Sequence, residues 1–201
     1  MVFKPNSLSD FSAFAKDYQA RFVAAVQAWD LTALDAITKV MVKARQDGRQ
    51  VLIAGNGGSA AIANHTECDA TKGTHVAGQP VLQTRSLSAN VSLLTALGND
   101  IGFESVFERQ VVYYAQPGDV VLLVSSSGNS PNVVKACERA KEMGLTTVAF
   151  VGFEGGKLKQ LADHTLHVQV PNYGIVEDLH QACVHLITQF LKEIWEAQAK
   201  K

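Results

Sequence analysis

His65 and Asp69 lie four residues apart in the stretch SAAIANHTECDATK, 59–72, which has a helical composition. On a helix that spacing puts an imidazole and a carboxylate on one face. The pair suits two ligands of one metal ion, or a proton-transfer couple. A single histidine on such a helix reads more simply as a core residue. The carboxylate one turn on, and the loop just ahead, shift the reading toward chemistry. Cys68 adjoins the pair as an alternative soft donor.

That loop is GNGGSA, 55–60. Gly55, Gly57 and Ala60 fit the G-x-G-x-x-A dinucleotide fingerprint. The fingerprint also wants an acid roughly 20 residues on, at the end of the next strand. There the chain reads LQTRS and offers none. A second loop, VSSSGNSPN at 124–132, gathers Ser125, Ser126, Ser127 and Ser130. Pro131 stands at a first helical position with Ser130 as its N-cap. Hydroxyls at a helix start can surround phosphate oxygens, and the unpaired N–H groups and positive dipole end there favour an anion. The other reading is a serine-rich turn with a good cap, and the residues alone leave both open.

The elements that must hold these loops follow from periodicity. Phe11, Phe14, Ala15, Tyr18, Phe22 and Ala25 predict a helix over 10–30, and a second over 31–45 completes an N-terminal hairpin. Strands are predicted at QVLIAG, PVLQTR, DVVLLVS, TTVAFVG and HTLHVQV, alternating with helices, and a last helix over about 175–197. That alternation predicts a single α/β domain, a doubly wound parallel sheet covered on both faces. In such sheets ligands bind beyond the C-terminal strand ends, where both loops lie. The 201 residues are 47% apolar with a net charge of −1, enough for a core and without the charge of a nucleic-acid surface. No run approaches a membrane span and no signal peptide is evident, and three scattered cysteines fit a reducing, cytoplasmic setting.

Taken together, GNGGSA, LTALGNDIGFESVFERQV, PGDVVLLVSSSGNSPNVVKA, GFEGGKLKQLAD and VEDLHQACVHLI resemble the sugar isomerase (SIS) domain family, and most closely its bacterial phosphoheptose isomerases. The resemblance covers about 35–195. It implies a flavodoxin-like fold and a homotetramer, with active sites where subunits meet and the N-terminal helices, about 8–46, used in assembly. It implies that Ser125, Ser126, Ser127 and Ser130 bind a sugar phosphate. Asn56, Gly57 and Ser59 would line the sugar pocket, with Asn99 and Asp100 close by.

The resemblance also implies a metal set, zinc by preference, of His65, Asp69, Glu177 and His185. Here the chain departs from the usual pattern, with Asp69 where glutamate is expected and Glu177 where glutamine is. Two histidines and two carboxylates still make a zinc shell. Glu177 and His185 are eight residues apart, about 12 Å along one helix. Either Glu177 precedes that helix, or the ligands come from two subunits; a shared interfacial site is expected. Burial is expected for His185, between Val184 and Leu186, and a structural role for His180. The implied reaction is conversion of sedoheptulose 7-phosphate to an aldoheptose phosphate through an enediol. Asp69 would be the base, His185 its partner and Glu177 an alternative base. Two other readings stand beside it: an isomerase or sensor for another sugar phosphate, and a non-catalytic SIS protein that binds a replication initiator.

Overall fold

The computed structural model describes residues 3–200. Two helices, α1 (Phe11–Gln27) and α2 (Leu31–Gln46), precede the first strand. Asp30 caps α2 by accepting from the N–H groups of Thr32 and Ala33. Strands β1 (Val51–Gly55), β2 (Thr84–Ser86), β3 (Val120–Ser125), β4 (Thr146–Gly152) and β5 (His164–Val168) then form one sheet in the order β2-β1-β3-β4-β5. Every neighbouring pair is parallel. The helices between them are α3 (Gly58–Cys68), α4 (Val91–Asp100), α5 (Val106–Tyr114), α6 (Pro131–Glu142) and α7 (Gly156–Leu161), and α8 (Tyr173–Ala199) closes the chain.

Side-chain alternation along the central strands feeds two separate cores. Ile53, Leu122, Val124 and Phe150 face α2, α3 and α8, burying Ile37, Ile62, Val184 and Leu191. Leu52, Ala54, Leu123 and Val151 face the other layer, burying Leu97, Phe107, Val133 and Leu158 of α4 to α7. A third cluster packs Tyr18, Phe22 and Ala25 of α1 on Ile175, Val176 and Leu179 of α8. The doubly wound architecture expected from the alternation is the one observed, with its chain order reversing between β1 and β3.

Three local features differ from the sequence expectation. The strand expected over 80–85 reduces to Thr84–Ser86, an edge strand paired on one side only. The helix through His65 stays α-helical only to Cys68 and then widens into a π-turn over Asp69–Gly73, where Thr74 N–H bonds the Asp69 carbonyl at 3.0 Å. The last helix begins earlier, at Tyr173, because Asn172 caps it through the N–H of Ile175.

Candidate functional site

The reversal of strand order opens a crevice between the C-terminal ends of β1 and β3, and the two loops meet there. Asn56 and Asn132 bridge them with a reciprocal amide pair, each Nδ2 donating to the other's Oδ1 at 2.9 Å. Asn132 is buried in the first turn of α6. It was not among the candidates, although the Asn after Ser-Pro marks a helix start. Ser130 is the N-cap of α6, as expected, but its hydroxyl makes no capping bond. It lies 3.4 Å from Ser125 Oγ. Ser126 Oγ is buried and has no partner among the described residues. Backbone bonds stiffen the loop: Gly128 N–H to Ser125 carbonyl, Gly152 N–H to Ser126 carbonyl and Leu158 N–H to Gly128 carbonyl. Gly128 has φ +64, and a Cβ there would collide with the Gly155 carbonyl.

A cavity of about 160 Å³ is lined by Asn56, Ser59, all four candidate serines, Tyr173 and Glu177. Its hydroxyls, together with the α6 N-terminus, can hold an anion. Glu177 enters from α8 over Gly58, where the missing side chain makes room for its carboxylate. Gly57, with φ +54, turns the chain into α3. Asn99 and Asp100 sit exposed at the end of α4, bond each other at 2.8 Å, and line neither this cavity nor the next.

His65, Asp69 and His185 converge within the single chain. His65 Nε2 lies 3.1 Å from His185 Nε2 and 3.2 Å from Asp69 Oδ2. His185 Nε2 lies 3.5 Å from the same oxygen. Three donor atoms so close could hold a metal ion. The trio borders an open cleft of about 610 Å³ with Leu186, Phe190 and Lys192. Burial of His185 is not observed: its side chain is 44% exposed. Val184, Ile187 and Leu191 turn to the core, so positions 185, 186 and 189 turn to the cleft. Glu177 does not join the trio. It lies inside α8 rather than ahead of it, removing one of the two explanations for its eight-residue separation from His185. Gln181, midway between them, places its side-chain amide 3.0 Å from His185 Nε2; the sequence reading passed over it.

His180 is structural, as expected. It is fully buried, its Nε2 is 3.1 Å from the Val151 carbonyl, and burial pulls its pKa down to about 4. Cys183 is buried behind the site and its thiol is pushed up to about 12 by burial; Cys68 is exposed and outside the donor trio. The end of β2 carries no acid, in keeping with the case against a dinucleotide site.

A doubly wound sheet whose strand-order switch gathers a serine-rich loop at a helix start is an architecture that can take an anionic ligand. The SIS domain family model matches residues 14–152. The phosphoheptose isomerase of Aquifex aeolicus is 38% identical over 79% of this chain and 82% of its own length. That of Chlorobaculum parvum is 38% identical over 88% and 86%. Among solved structures, the phosphoheptose isomerase of Neisseria gonorrhoeae superposes with a TM-score of 0.84 at 29% identity, covering 93% of this chain and 100% of that one. The Francisella tularensis enzyme gives 0.83 at 26% identity over 94% and 100%. The chain belongs to the SIS domain family and, within it, to the phosphoheptose isomerases.

Proposed function

We propose that this chain isomerises sedoheptulose 7-phosphate to D-glycero-D-manno-heptose 7-phosphate. The observation that carries the reading is the pairing of a hydroxyl-lined anion cradle with a His–Asp–His group on neighbouring helices. Glu177 marks the cradle and His185 the group, about 12 Å apart along α8. That span is comparable with an open-chain sugar phosphate. The phosphate binds to Ser125, Ser126, Ser127 and Ser130 at the start of α6. Asn56, Gly57 and Ser59 contact the sugar chain, and Glu177 holds its hydroxyls. Asp69 Oδ2 faces the histidines and leaves Oδ1 to act. Oδ1 takes a proton from C1 and returns it at C2 through an enediol, while the hydroxyl proton moves from O1 to O2 beside His185.

The donor set suits zinc. Tetrahedral ligands at about 2.0–2.1 Å from zinc lie roughly 3.3–3.4 Å from one another. The observed separations are 3.1, 3.2 and 3.5 Å. Bound by His65, Asp69 and His185, the ion would supply a Lewis acid for the substrate carbonyl. The cleft supports assembly as well. His65 is 51% exposed, and Leu186 and Phe190 beside it are bare. Proton abstraction needs a drier site than this. A homotetramer in which a second copy covers the cleft supplies it; no described helix is long and apolar enough to cross a membrane.

The test is turnover of sedoheptulose 7-phosphate followed by NMR, with Asp69→Ala, His185→Ala and Glu177→Ala variants. The first two should lower kcat by roughly 10²–10⁴-fold, the range for a lost acid–base group. Glu177→Ala should mainly raise KM. Near-normal turnover by Asp69→Ala and His185→Ala would remove the assignment.

A further inference from the structure

We infer that Tyr173 is a specificity-determining residue: it ends the anion cradle, so that the site takes a sugar with a terminal phosphate monoester and refuses one whose phosphate continues into a diester. The inference deepens the reading of the cradle above and rests on it.

The make-up of the cradle raises the need for such a residue. Its polar lining is hydroxyls, the Asn56 amide and the Glu177 carboxylate, with no lysine or arginine among the described residues that bound it. Neutral donors read oxygens rather than charge, so they can bond the free oxygens of a diester as well as those of a monoester. Discrimination at this end then falls to shape. Tyr173 stands where that shape is set. It lines the cavity four residues before Glu177, on the same face of α8. Along the helix axis it is about 6 Å from Glu177 and about 18 Å from His185. The helix thus presents Tyr173, Glu177 and the His–Asp–His group in that order. A substrate running from the His–Asp–His group to the serines has its phosphate in the cradle, and anything attached beyond the phosphate meets the Tyr173 ring.

That ring is held from behind. Its centroid lies 4.7 Å from that of Phe153, with the planes at 56°. Phe153 follows β4 and has φ +47, a left-handed conformation rare for a bulky side chain; it is the one non-glycine residue with positive φ among those described. Gly155 and Gly156 take the other two positive φ values of that loop, +88 and +57. The Phe153 carbonyl accepts from His167 Nε2 at 2.8 Å, and His167 Nδ1 lies 3.1 Å from Lys159 Nζ. An ammonium only donates, so Nδ1 accepts and the ring proton sits on Nε2, where the carbonyl needs it. Backbone strain of this kind persists where its surroundings enforce it, and it gathers at ligand sites. Here it presents an aromatic ring to the residue that bounds the cradle. Asn172 fixes the backbone beside Tyr173 by capping α8 through the N–H of Ile175.

Titration calorimetry of the full-length protein tests this with two probes, ribose 5-phosphate and its ethyl phosphodiester. The ratio of their affinities is the readout, because the charge difference between the probes is common to every variant and cancels. Wild type should favour the monoester. Tyr173→Ala should shift the ratio toward the diester by roughly tenfold, the low end for steric discrimination over a methylene or two. Tyr173→Phe keeps the ring and should keep the wild-type ratio. Phe153→Gly leaves the backbone its left-handed conformation but removes the support, and should shift the ratio the same way by a smaller factor. Tyr173 is 60% exposed, so its alanine variant should fold. Circular dichroism checks each variant, and Tyr173→Ser serves if the alanine variant does not fold. An unchanged ratio in Tyr173→Ala, or in Tyr173→Ser where that is used, overturns the inference, while monoester binding leaves the cradle reading standing. A shift in Tyr173→Phe equal to that in Tyr173→Ala also overturns it, by making the hydroxyl the contact. Failure of the wild type to bind ribose 5-phosphate removes the cradle reading and this inference together.

Discussion

Asp69 is one methylene shorter than glutamate, and it stands where α3 gives way to the π-turn. The wider turn alters the direction of the helix axis just where a carboxylate must meet two imidazoles from different helices. Asp69→Glu is therefore expected to be costly despite restoring the longer acid: the added methylene pushes into a group whose atoms are already 3.2 and 3.5 Å apart. Reduced cobalt affinity alongside reduced kcat would bear this out, and full activity would show the site has slack. His180 gives a second residue-scale prediction. Its folded pKa of about 4 lies below the ordinary 6.5, chiefly through burial. Between those values the unfolded chain binds a proton that the folded chain refuses, so stability falls as pH drops from about 6.5 toward 4. The full loss is on the order of 3 kcal/mol, at 1.36 kcal/mol per unit. Urea denaturation at pH 7 and pH 5 should show the decline, and His180→Leu should flatten its slope. An equal slope in the variant would assign the acid sensitivity to other groups.

At the scale of elements, the proposed anion cradle depends on two loops being locked together. Asn132 is 2% exposed, and its amide pair with Asn56 is the side-chain tie between the β1 and β3 loops. Asn132→Leu strands the Asn56 amide and should cost about 1–3 kcal/mol in stability, with KM for the sugar phosphate raised more than kcat is lowered. Urea denaturation and steady-state kinetics check both halves. The same elements show what the sequence could and could not reveal. The central strands were legible because a parallel strand buried on both faces reads as an unbroken apolar run, as in Val120–Val124. Strand β2 was not: its three residues are fixed by pairing with β1, which no local pattern encodes. The loops carried their own signatures in glycine, serine and proline. The orientation of His185 was hidden because its neighbours in sequence, Val184 and Leu186, go to opposite environments, one buried and one exposed. Gln181 was hidden by its chemistry, since an amide on a helix usually meets water. Its i, i+4 spacing to His185 repeats that of His65 to Asp69 and was the one signal that pointed to it.

The whole molecule leaves the His–Asp–His cleft in the open. The sheet and both helical layers are closed cores, yet Leu186 is 46% and Phe190 54% exposed beside the His–Asp–His cleft. Leu8 and Phe11 of the N-terminal segment are bare as well. A solvated site weakens every electrostatic interaction that an enediol intermediate would call upon, because effective dielectric falls only when water is excluded. The proposed assembly of this chain with copies of itself would answer both facts: it would bury apolar side chains and dry the cleft. Phe190→Glu puts a charge into that contact. Sedimentation velocity should show a species smaller than the wild-type assembly, and kcat should fall with it. Cobalt affinity should change little, because His65, Asp69 and His185 converge within one chain. An assembly of wild-type size with wild-type turnover would place the contact elsewhere on the surface. Loss of cobalt binding on dissociation would mean that a ligand crosses between subunits, returning Glu177 of a neighbouring copy to the metal.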